Sequence, residues 1–340
     1  MRICIDKKTF VLSVKIALGS SLAIFLAEQL QLVNGTSAGI IALLTIVTTK
    51  WETIHLSIAR VITYGMAVGI LYMIYQLPLV WWVLYGIYIF ILVLLSIGLK
   101  WKNTISVNAV IGIHFLTSRD FSSDFIRNEF QLVLIGIIVA FVINLFQHNR
   151  YHQNRLVAKM KETEGELQMI LGELGRYLRH QERKEDVWTD IKNLENSLKN
   201  LVLDASEYEG NTFHKHTGYY MDYFEMRLEQ CNVLEDLHNQ VNKIREMPAE
   251  ATIIADFVDG LIGHITEGCA PDPLLEMLEI MIDTVKKRPL PTTHEELEKR
   301  AILYHVLAEM EAFLLHKKRF VDQLDPKVKV LYWNRTHEKI

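Results

Sequence analysis

The sequence predicts an all-α protein: a six-span transmembrane helical domain, residues 1–147, followed by a cytosolic antiparallel helical bundle, residues 148–340. Two observations predict this division. Six apolar stretches fill residues 10–147, and the rest of the chain contains none. After residue 150 the apolar residues recur at helical spacing, and no stretch alternates with the period of two that is typical of strands.

Four of the apolar stretches are long enough to span a bilayer, because a hydrocarbon core of about 30 Å needs roughly 20 apolar residues in a helix. The second and fifth are shorter. Ser21-Leu22-Ala23 loosely resembles a signal-peptidase site, but Lys15 interrupts the apolar run, so we expect a retained first span rather than a cleaved signal. The six stretches are Phe10–Leu30, Gly35–Thr49, Leu56–Gln76, Leu79–Leu99, Thr104–Ser118 and Asn128–Gln147.

The distribution of basic residues predicts the orientation of the spans. Residues 1–147 carry ten Lys/Arg and six Asp/Glu, and most of the basic residues flank alternate ends of the stretches. Cytoplasmic loops carry the excess of Lys and Arg. Both termini are therefore expected in the cytosol, in a plasma-membrane protein. The residues that fix this orientation are Arg2, Lys7, Lys8, Lys50, Lys100, Lys102, Arg150, Arg155, Lys159 and Lys161.

The tail is predicted to be helical throughout, with about six helices whose apolar stripes form a common core. Asp272-Pro273 predicts one helix start, and Thr292-Thr293-His294-Glu295 predicts a capping box at another. Gly210–Gly218 and Arg288–Pro291 are the expected loops. The stripes comprise Leu167, Ile170, Leu174 and Leu178; Leu194, Leu198 and Leu201; Tyr220, Phe224, Leu228, Cys231, Leu234 and Val241; Ile254, Val258, Leu261 and Ile265; and Leu274, Leu278, Met281 and Val285.

The composition argues against several classes of function. The tail carries 26 Lys/Arg and 34 Asp/Glu, and this acidic balance disfavours nucleic acid as a partner. No motif for catalysis or phosphate binding is present, so we expect no enzyme activity, no cofactor and no metal. His214-Lys215-His216 lacks a third ligand nearby and is interpreted as a polar loop. Cys4, Cys231 and Cys269 have no paired spacing and are expected to be reduced thiols.

Charged residues inside spans are costly, so each is either snorkelling to the headgroups or functional. Lys15 and Arg60 lie at the cytoplasmic ends of the first and third spans, near Lys50. Snorkelling would explain each alone, whereas together they would form a cationic mouth for a carboxylate. His114, in the fifth span, is either a packed histidine or a proton carrier. Glu28 is a second proton-coupling candidate, with an interfacial position as the alternative.

The two short stretches share a polar pattern, in which three identical residues and one Lys/Arg exchange recur at a constant offset of 69 positions. Each is the middle span of a set of three, so the second set would be inverted. Transporters built from inverted repeats place substrate sites at such short segments, whereas the structural alternative is two short helices shielded by longer neighbours. The pattern pairs Asn34 and Ser37 with Asn103 and Ser106, and Thr48 and Lys50 with Thr117 and Arg119; Asn108 adds a further polar candidate.

The segment 290–303, LPTTHEELEKRAIL, and the six spans with a long helical tail resemble the aromatic acid exporters of the fusaric-acid-resistance-like superfamily, in the short bacterial form. The end of the second span at Thr49-Lys50, followed by Arg60, Gly65 and Gly69, is similar to that family's second-to-third-span region. The resemblance implies proton-driven export of small aromatic or amphipathic carboxylates. Because longer relatives carry two six-span halves, it also implies a homodimer.

The expected partners are therefore the lipid bilayer, a small organic anion and a second copy of the chain. The six-span domain is small for enclosing a ring-sized substrate, and the helix around Leu167–Leu178 is expected to pair with its copy. Two alternatives stay open: a gated organic-anion channel, and a membrane-anchored interaction or sensor protein that transports nothing.

Reporter fusions test the predicted topology. Fusions at Lys50, Lys102 and Arg155 are all expected to report the cytosol, because basic clusters remain on that side of the membrane. The measurement is the activity of a paired alkaline phosphatase and fluorescent-protein reporter at each site. An external signal at Arg155 would contradict the six-span topology.

Overall fold

The computed structural model describes residues 7–145, 149–179, 187–212, 218–242, 251–287 and 289–333, and these are helical apart from short connections. The chain divides into two compact units. One, here the membrane unit, comprises Met1–Asn149 together with residues 210–213. The other, here the tail unit, comprises Arg150–Glu209 and residues 214–340. The candidate metal loop His214-Lys215-His216 and Cys4 lie outside the described residues.

In its described residues the membrane unit contains six α-helices, of which four are long and apolar enough to cross a membrane: α1, α3, α4 and α6. The other two have 11 and 14 residues, which corresponds to about 16 and 21 Å. The helices are α1 (Lys7–Gln29), α2 (Thr36–Ile46), α3 (Lys50–Tyr75), α4 (Trp81–Gly98), α5 (Ile105–Ser118) and α6 (Ser123–Leu145).

Two of the long helices, α3 and α6, begin at least five residues earlier than hydropathy indicates. α3 begins at Lys50 rather than Leu56, and α6 begins at Ser123 rather than Asn128. A hydroxyl group caps each start: Thr49 accepts from the Glu52 amide at 3.4 Å, and Ser122 accepts from the Phe125 amide at 3.2 Å. The first turns are polar, so an apolar window misses them. Both helices therefore extend beyond the predicted apolar stretches at their amino ends.

The helix packing is symmetric between the two halves of the membrane unit. α2 packs against α1 and α6, whereas α5 packs against α4 and α3. α1 contacts α6, α4 contacts α3, and α3 and α6 contact each other. Exchanging α1–α3 with α4–α6 leaves this pattern unchanged, which is what an internal duplication produces.

The turns that end α1 and α4 have the same backbone conformation and the same hydrogen bond, which again relates the two halves. A left-handed residue follows each helix, Gln31 (φ 54°) in the first half and Lys100 (φ 61°) in the second. The next amide donates to the carbonyl five residues back, as in a Schellman cap. These two bonds run from Leu32 to Ala27 at 3.1 Å and from Trp101 to Ser96 at 2.7 Å. All the paired residues are 69 positions apart, the same offset as the polar pattern.

The tail unit buries one apolar core, to which all seven of its described helices contribute. The stripes predicted from helical spacing are confirmed, since most of their residues are buried in this core. Thr293 caps one helix by accepting from the Glu296 amide at 3.1 Å, as the capping box predicted. The helices are α7 (Asn149–Leu178), α8 (Val187–Gly210), α9 (Tyr219–Val241), α10 (Ala251–Ile262), α11 (Asp272–Lys286), α12 (His294–Gln323) and α13 (Pro326–Trp333).

One predicted helix start differs in detail. Asp272 was expected to cap α11, but Pro271 occupies that position and Asp272 is already in the first turn. Its carboxylate instead pairs with Lys318.

The close approach of α2 and α6 depends on a glycine. A Cβ atom at Gly136 would lie 2.5 Å from Ile41 Cγ2 and 3.0 Å from the Ala38 carbonyl oxygen, and a backbone atom cannot move aside cheaply. We expect Gly136→Ala to destabilise the membrane unit by about 1–3 kcal/mol through overpacking. The measurement is the thermal midpoint of the detergent-purified chain.

Gly65 of α3 supplies the matched control for Gly136→Ala, because a Cβ there would meet no atom within 4 Å. Gly65→Ala is expected to leave the midpoint unchanged or raise it slightly, since alanine favours helix by roughly 0.5–1 kcal/mol. Equal midpoints for the two variants would contradict close packing at Gly136.

Candidate functional site

Two buried polar centres lie at opposite ends of the short helix α2. The arginine centre consists of Arg60, Thr45 and the carbonyl groups of Ile41 and Leu44. The glutamate centre consists of Glu129, His114, Ser37 and Asn34. Ser37 and Thr45, which mark the two ends, are separated by about 12 Å along the helix.

The arginine centre holds a guanidinium group in the protein interior. Arg60 lies well inside α3 and is 1% exposed, so it does not extend to the surface of the unit. Its Nη1 donates to Thr45 Oγ1 and, at 3.4 Å, to the Ile41 carbonyl, and Nη2 donates to the Leu44 carbonyl at 3.4 Å. These acceptors are at the carboxyl end of α2, where the helix dipole favours a cation.

The charge of Arg60 is not matched by an acidic side chain in the described part of the chain. Its hydrogen-bond acceptors are all uncharged, and its buried Nε has no partner. A buried charge normally carries a counter-ion, because desolvating it alone is expensive. An anion at the arginine centre would supply the missing counter-charge.

The glutamate centre buries an acidic side chain, and a histidine lies beside it. Glu129 is fully buried, and its Oε2 lies 2.7 Å from His114 Nδ1. Its Oε1 accepts from Asn34 Nδ2 at 3.0 Å. The second ring nitrogen, His114 Nε2, lies 3.2 Å from Ser37 Oγ. The four side chains thus form one chain of hydrogen bonds from α2 through α5 to α6 and back to the α1–α2 connection.

Two further contacts hold the glutamate centre in place. Asn128 exchanges two hydrogen bonds with the Val33 backbone, at 2.8 and 3.0 Å, and so joins the start of α6 to the α1–α2 connection. The Tyr64 hydroxyl of α3 donates to the Ile126 carbonyl at 2.6 Å. The scaffold of the centre is therefore independent of the Glu129 carboxyl group itself.

The internal repeat relates the two centres. The residue numbers of Thr45 and His114 differ by the repeat offset of 69, and so do those of Arg60 and Glu129. Within each half, the two bonded residues are 15 positions apart. At equivalent positions, one half thus buries a base and the other buries an acid. The two halves therefore share one helix arrangement but carry opposite charges at equivalent positions.

The other predicted residues fall into separate places. Lys15 is half-buried and lies close enough to Lys50 for the two ammonium groups to repel each other. Lys50 is 9% exposed, and its amide donates to Asn211 Oδ1 at 3.1 Å. Asn211 belongs to residues 210–213, which group with the membrane unit. Glu28 is exposed at the end of α1.

The other predicted candidates near the start of α5, Asn103, Ser106 and Asn108, do not join the glutamate centre. Asn103 donates to Glu52 Oε1 at 3.0 Å, and Ser106 is exposed. Asn108 is buried; its carbonyl oxygen accepts from the Tyr88 hydroxyl at 2.8 Å, while its amide nitrogen has no partner. Of the predicted candidates, the structure therefore brings together Asn34, Ser37 and His114.

Sequence reasoning missed Glu129, because hydropathy placed it at the edge of the sixth apolar stretch rather than well inside a helix. The repeat offset would have identified it, since Glu129 corresponds to Arg60 and follows His114 at the spacing by which Arg60 follows Thr45. The signal was hidden because the two residues carry opposite charges and do not look like repeats.

The tail unit contains its own buried cluster of charges. Lys317 of α12 donates to the Thr266 and His264 carbonyls at 2.7 and 3.1 Å, and burial lowers the pKa of its ammonium group to about 7. Arg227 of α9 donates to the Ile265 carbonyl at 2.6 Å and pairs with Glu164 at 3.3 Å. Both cations thus stabilise the segment that follows α10.

Metal binding has no visible site in the ranges that the structure describes, where no three His, Cys, Asp or Glu side chains are grouped as ligands. Cys231 and Cys269 are free thiols.

Comparison with known proteins covers nearly the whole chain. Residues 8–147 match the family described as "Aromatic acid exporter family member 1", and residues 153–318 match the "Putative aromatic acid exporter C-terminal domain". The Bacillus subtilis (strain 168) protein called "Uncharacterized protein YqjA" is 32% identical over 318 residues, which cover 91% of this chain and 95% of that protein.

A solved structure is also similar, the "Crystal structure of putative membrane protein from Clostridium difficile 630". It is 22% identical, covers 50% of this chain and 98% of that one, and has a TM-score of 0.45. The family assignment depends instead on the matches to both halves of the sequence and on the full-length relative. They confirm the resemblance noted in the sequence, and the chain belongs to the aromatic acid exporter family.

Proposed function

We propose that this protein exports small organic acids, aromatic carboxylates above all, across the plasma membrane and that the proton gradient drives it. Family membership supports membrane transport. The observation that carries the choice of an acid is Arg60, a buried cation whose acceptors are all uncharged. A substrate carboxylate would supply the missing counter-charge, and Lys15 and Lys50 would attract the anion to the same end of α2.

The proposal includes a six-span arrangement with both termini in the cytosol. α2 and α5 are short, but long helices pack beside each of them, and a short helix shielded in this way can complete a membrane crossing. Basic residues follow the second and fourth spans, at Lys50, Lys100 and Lys102, and support this orientation. The tail unit would then be a cytosolic antiparallel helical bundle. The arginine centre would face the cytosol, and the glutamate centre would face outward.

Substitution of Arg60 tests the anion centre. Charge-assisted hydrogen bonds contribute about 1.5–3 kcal/mol, so Arg60→Gln should weaken substrate capture by about 10- to 100-fold. Arg60→Lys keeps the charge but not the fork of donors and should fall between. The measurement is uncoupler-sensitive efflux of radiolabelled benzoate from loaded cells at matched protein levels, after a growth screen of aromatic acids against a deletion strain.

Arg127→Gln is the matched control for Arg60→Gln, because Arg127 is an exposed arginine whose partner is Asp124 on the same helix. It should export like the wild type. Unchanged export by the Lys15→Gln, Arg60→Gln double variant would contradict the anion centre. Efflux that only dissipates a gradient and ignores the uncoupler would indicate the channel alternative.

We also propose that the exporter is a homodimer, since six short-looped helices enclose little space for a ring-sized substrate and twofold assembly is the commonest way to enlarge it. The apolar face of α7 is used within the chain, where Leu167 and Leu171 are fully buried, so a partner would contact the opposite face.

Crosslinking in native membranes tests this assembly. In a cysteine-free background, Met169→Cys is expected to crosslink between chains because Met169 is 66% exposed on α7, whereas Leu171→Cys, at a buried position, is not. Mass spectrometry of the intact complex should show two chains. A single chain together with no crosslink along α7 would exclude the dimer.

A further inference from the structure

We infer that Glu129 and His114 together form the proton-binding site that drives export. This inference rests on the proposed function and adds to it the residues that carry the proton. Glu129 has no role in the anion centre, and no motif in the sequence marks it.

The geometry gives the pair one proton to gain and lose. An ionised Glu129 accepts hydrogen bonds through both oxygens, so the bond at 2.7 Å places a hydrogen on His114 Nδ1. In the neutral imidazole, Nε2 then accepts from the Ser37 hydroxyl at 3.2 Å. A proton can add at Nε2 while the Glu129 bond stays intact, because the Ser37 hydroxyl rotates and becomes the acceptor.

The negative charge of Glu129 has no Lys or Arg partner among the described residues, so a proton is what neutralises it. Among the described residues, the groups that face Glu129 are His114 from α5, the uncharged Ser37 of α2 and Asn34, Asn128 of its own helix at 3.4 Å, and the Tyr64 phenol of α3. No Lys or Arg in this described set pairs with it. α1 also packs against α6, but its acid at this end, Glu28, is exposed.

The charge of the pair therefore alternates between two values. Without the extra proton it carries one negative charge in a buried site, which is costly. With the proton it is a neutral ion pair of carboxylate and imidazolium. Proton occupancy thus changes the electrostatics at the amino end of α2.

The position of the pair suits an exchange of proton for anion. Ser37 contacts the proton site at one end of α2, and Thr45 contacts the anion centre at the other. Asn34 is partly exposed beside Glu129, which gives protons a route from the solution on that side. In one cycle a proton enters here and leaves to the cytosol while one carboxylate moves outward; the cycle transfers two positive charges inward, so the membrane potential drives it together with the pH gradient. Movement of the single helix α2 would couple the two events.

The alternative interpretation is a structural network that only joins helices. Glu129→Gln separates the two, because glutamine keeps the shape and can still bond to its neighbours, while the Asn128–Val33 bonds remain. Asp124→Asn is the matched control, an exposed acid near the start of the same helix. His114→Asn is a second variant: it keeps a donor toward Glu129 but cannot titrate.

Infrared difference spectra of the purified full chain between about pH 5 and 8 test proton binding without any substrate. The wild type and Asp124→Asn should show a band from a buried group that gains a proton. His114→Asn should lose it because the proton acceptor is gone, and Glu129→Gln should lose it because a buried imidazolium without the carboxylate partner is too costly. The same spectrum in Glu129→Gln as in the wild type would overturn the inference.

Transport in inverted membrane vesicles, in sodium-free buffer, tests coupling. An acid lumen should drive accumulation of radiolabelled benzoate in the wild type, although passive weak acids move to the alkaline side. Glu129→Gln should abolish this accumulation yet keep benzoate–benzoate exchange within about twofold, because exchange needs no net proton. His114→Asn should behave likewise, and it carries the test if Glu129→Gln does not fold.

The outcomes separate the two proposals. Acid-driven accumulation by Glu129→Gln at the wild-type rate would contradict proton binding by Glu129 and His114, but it would agree with the proposed export of organic acids. If the wild type neither accumulates nor exchanges benzoate or other aromatic acids from the growth screen, the proposed export fails, and the infrared result still decides the proton site.

Discussion

The membrane unit depends on the cost of burying polar groups where water is absent. A charged or hydrogen-bonding side chain in such a place needs partners inside the protein. α2 and α5 are too short to cover a bilayer core by themselves, and their ends supply the carbonyl, hydroxyl and amide groups that the long helices need. Arg60 and Glu129 are tolerated in the interior because they lie against the two ends of α2.

The internal repeat places two buried charged residues at equivalent positions of the two halves, and this arrangement suits transport. Packing contacts, left-handed turns and C-cap hydrogen bonds recur at one constant offset along the chain, so the two halves share one scaffold. The repeat has diverged at its buried charges, with a base in one half and an acid in the other. An anion and a proton are the two species that such a pair of sites would bind, and a helix that contacts both sites is a physical link between them.

The tail unit is stabilised mainly by apolar packing. Its helices bury a continuous apolar core, and its buried cations lie against backbone carbonyls that follow α10. The low pKa of the Lys317 ammonium group has the same origin as the cost of Arg60, namely removal of a charge from water. Arg227 has Glu164 as an ion-pair partner, whereas the acceptors of Arg60 are all uncharged, and this difference is why the argument for an anion site applies to the membrane unit.

The sequence by itself determined the helical class, the apolar stretches, the stripes of the tail core and the family. All of these follow from periodicity, run length and local caps, which are properties of neighbouring residues. It also identified Asn34, Ser37, His114 and Arg60 as polar residues in costly positions, since any such residue is visible in an apolar run.

Only the tertiary structure decided what these residues contact. Glu129 looked like a residue at the edge of the sixth span, because the polar first turn of α6 hides the helix start from an apolar window. Arg60 is bonded to the end of α2, a contact that its depth in the third span did not reveal. Hydrogen bonds between residues 15 to 95 positions apart depend on how the helices pack against each other, and no local pattern in the sequence specifies that packing.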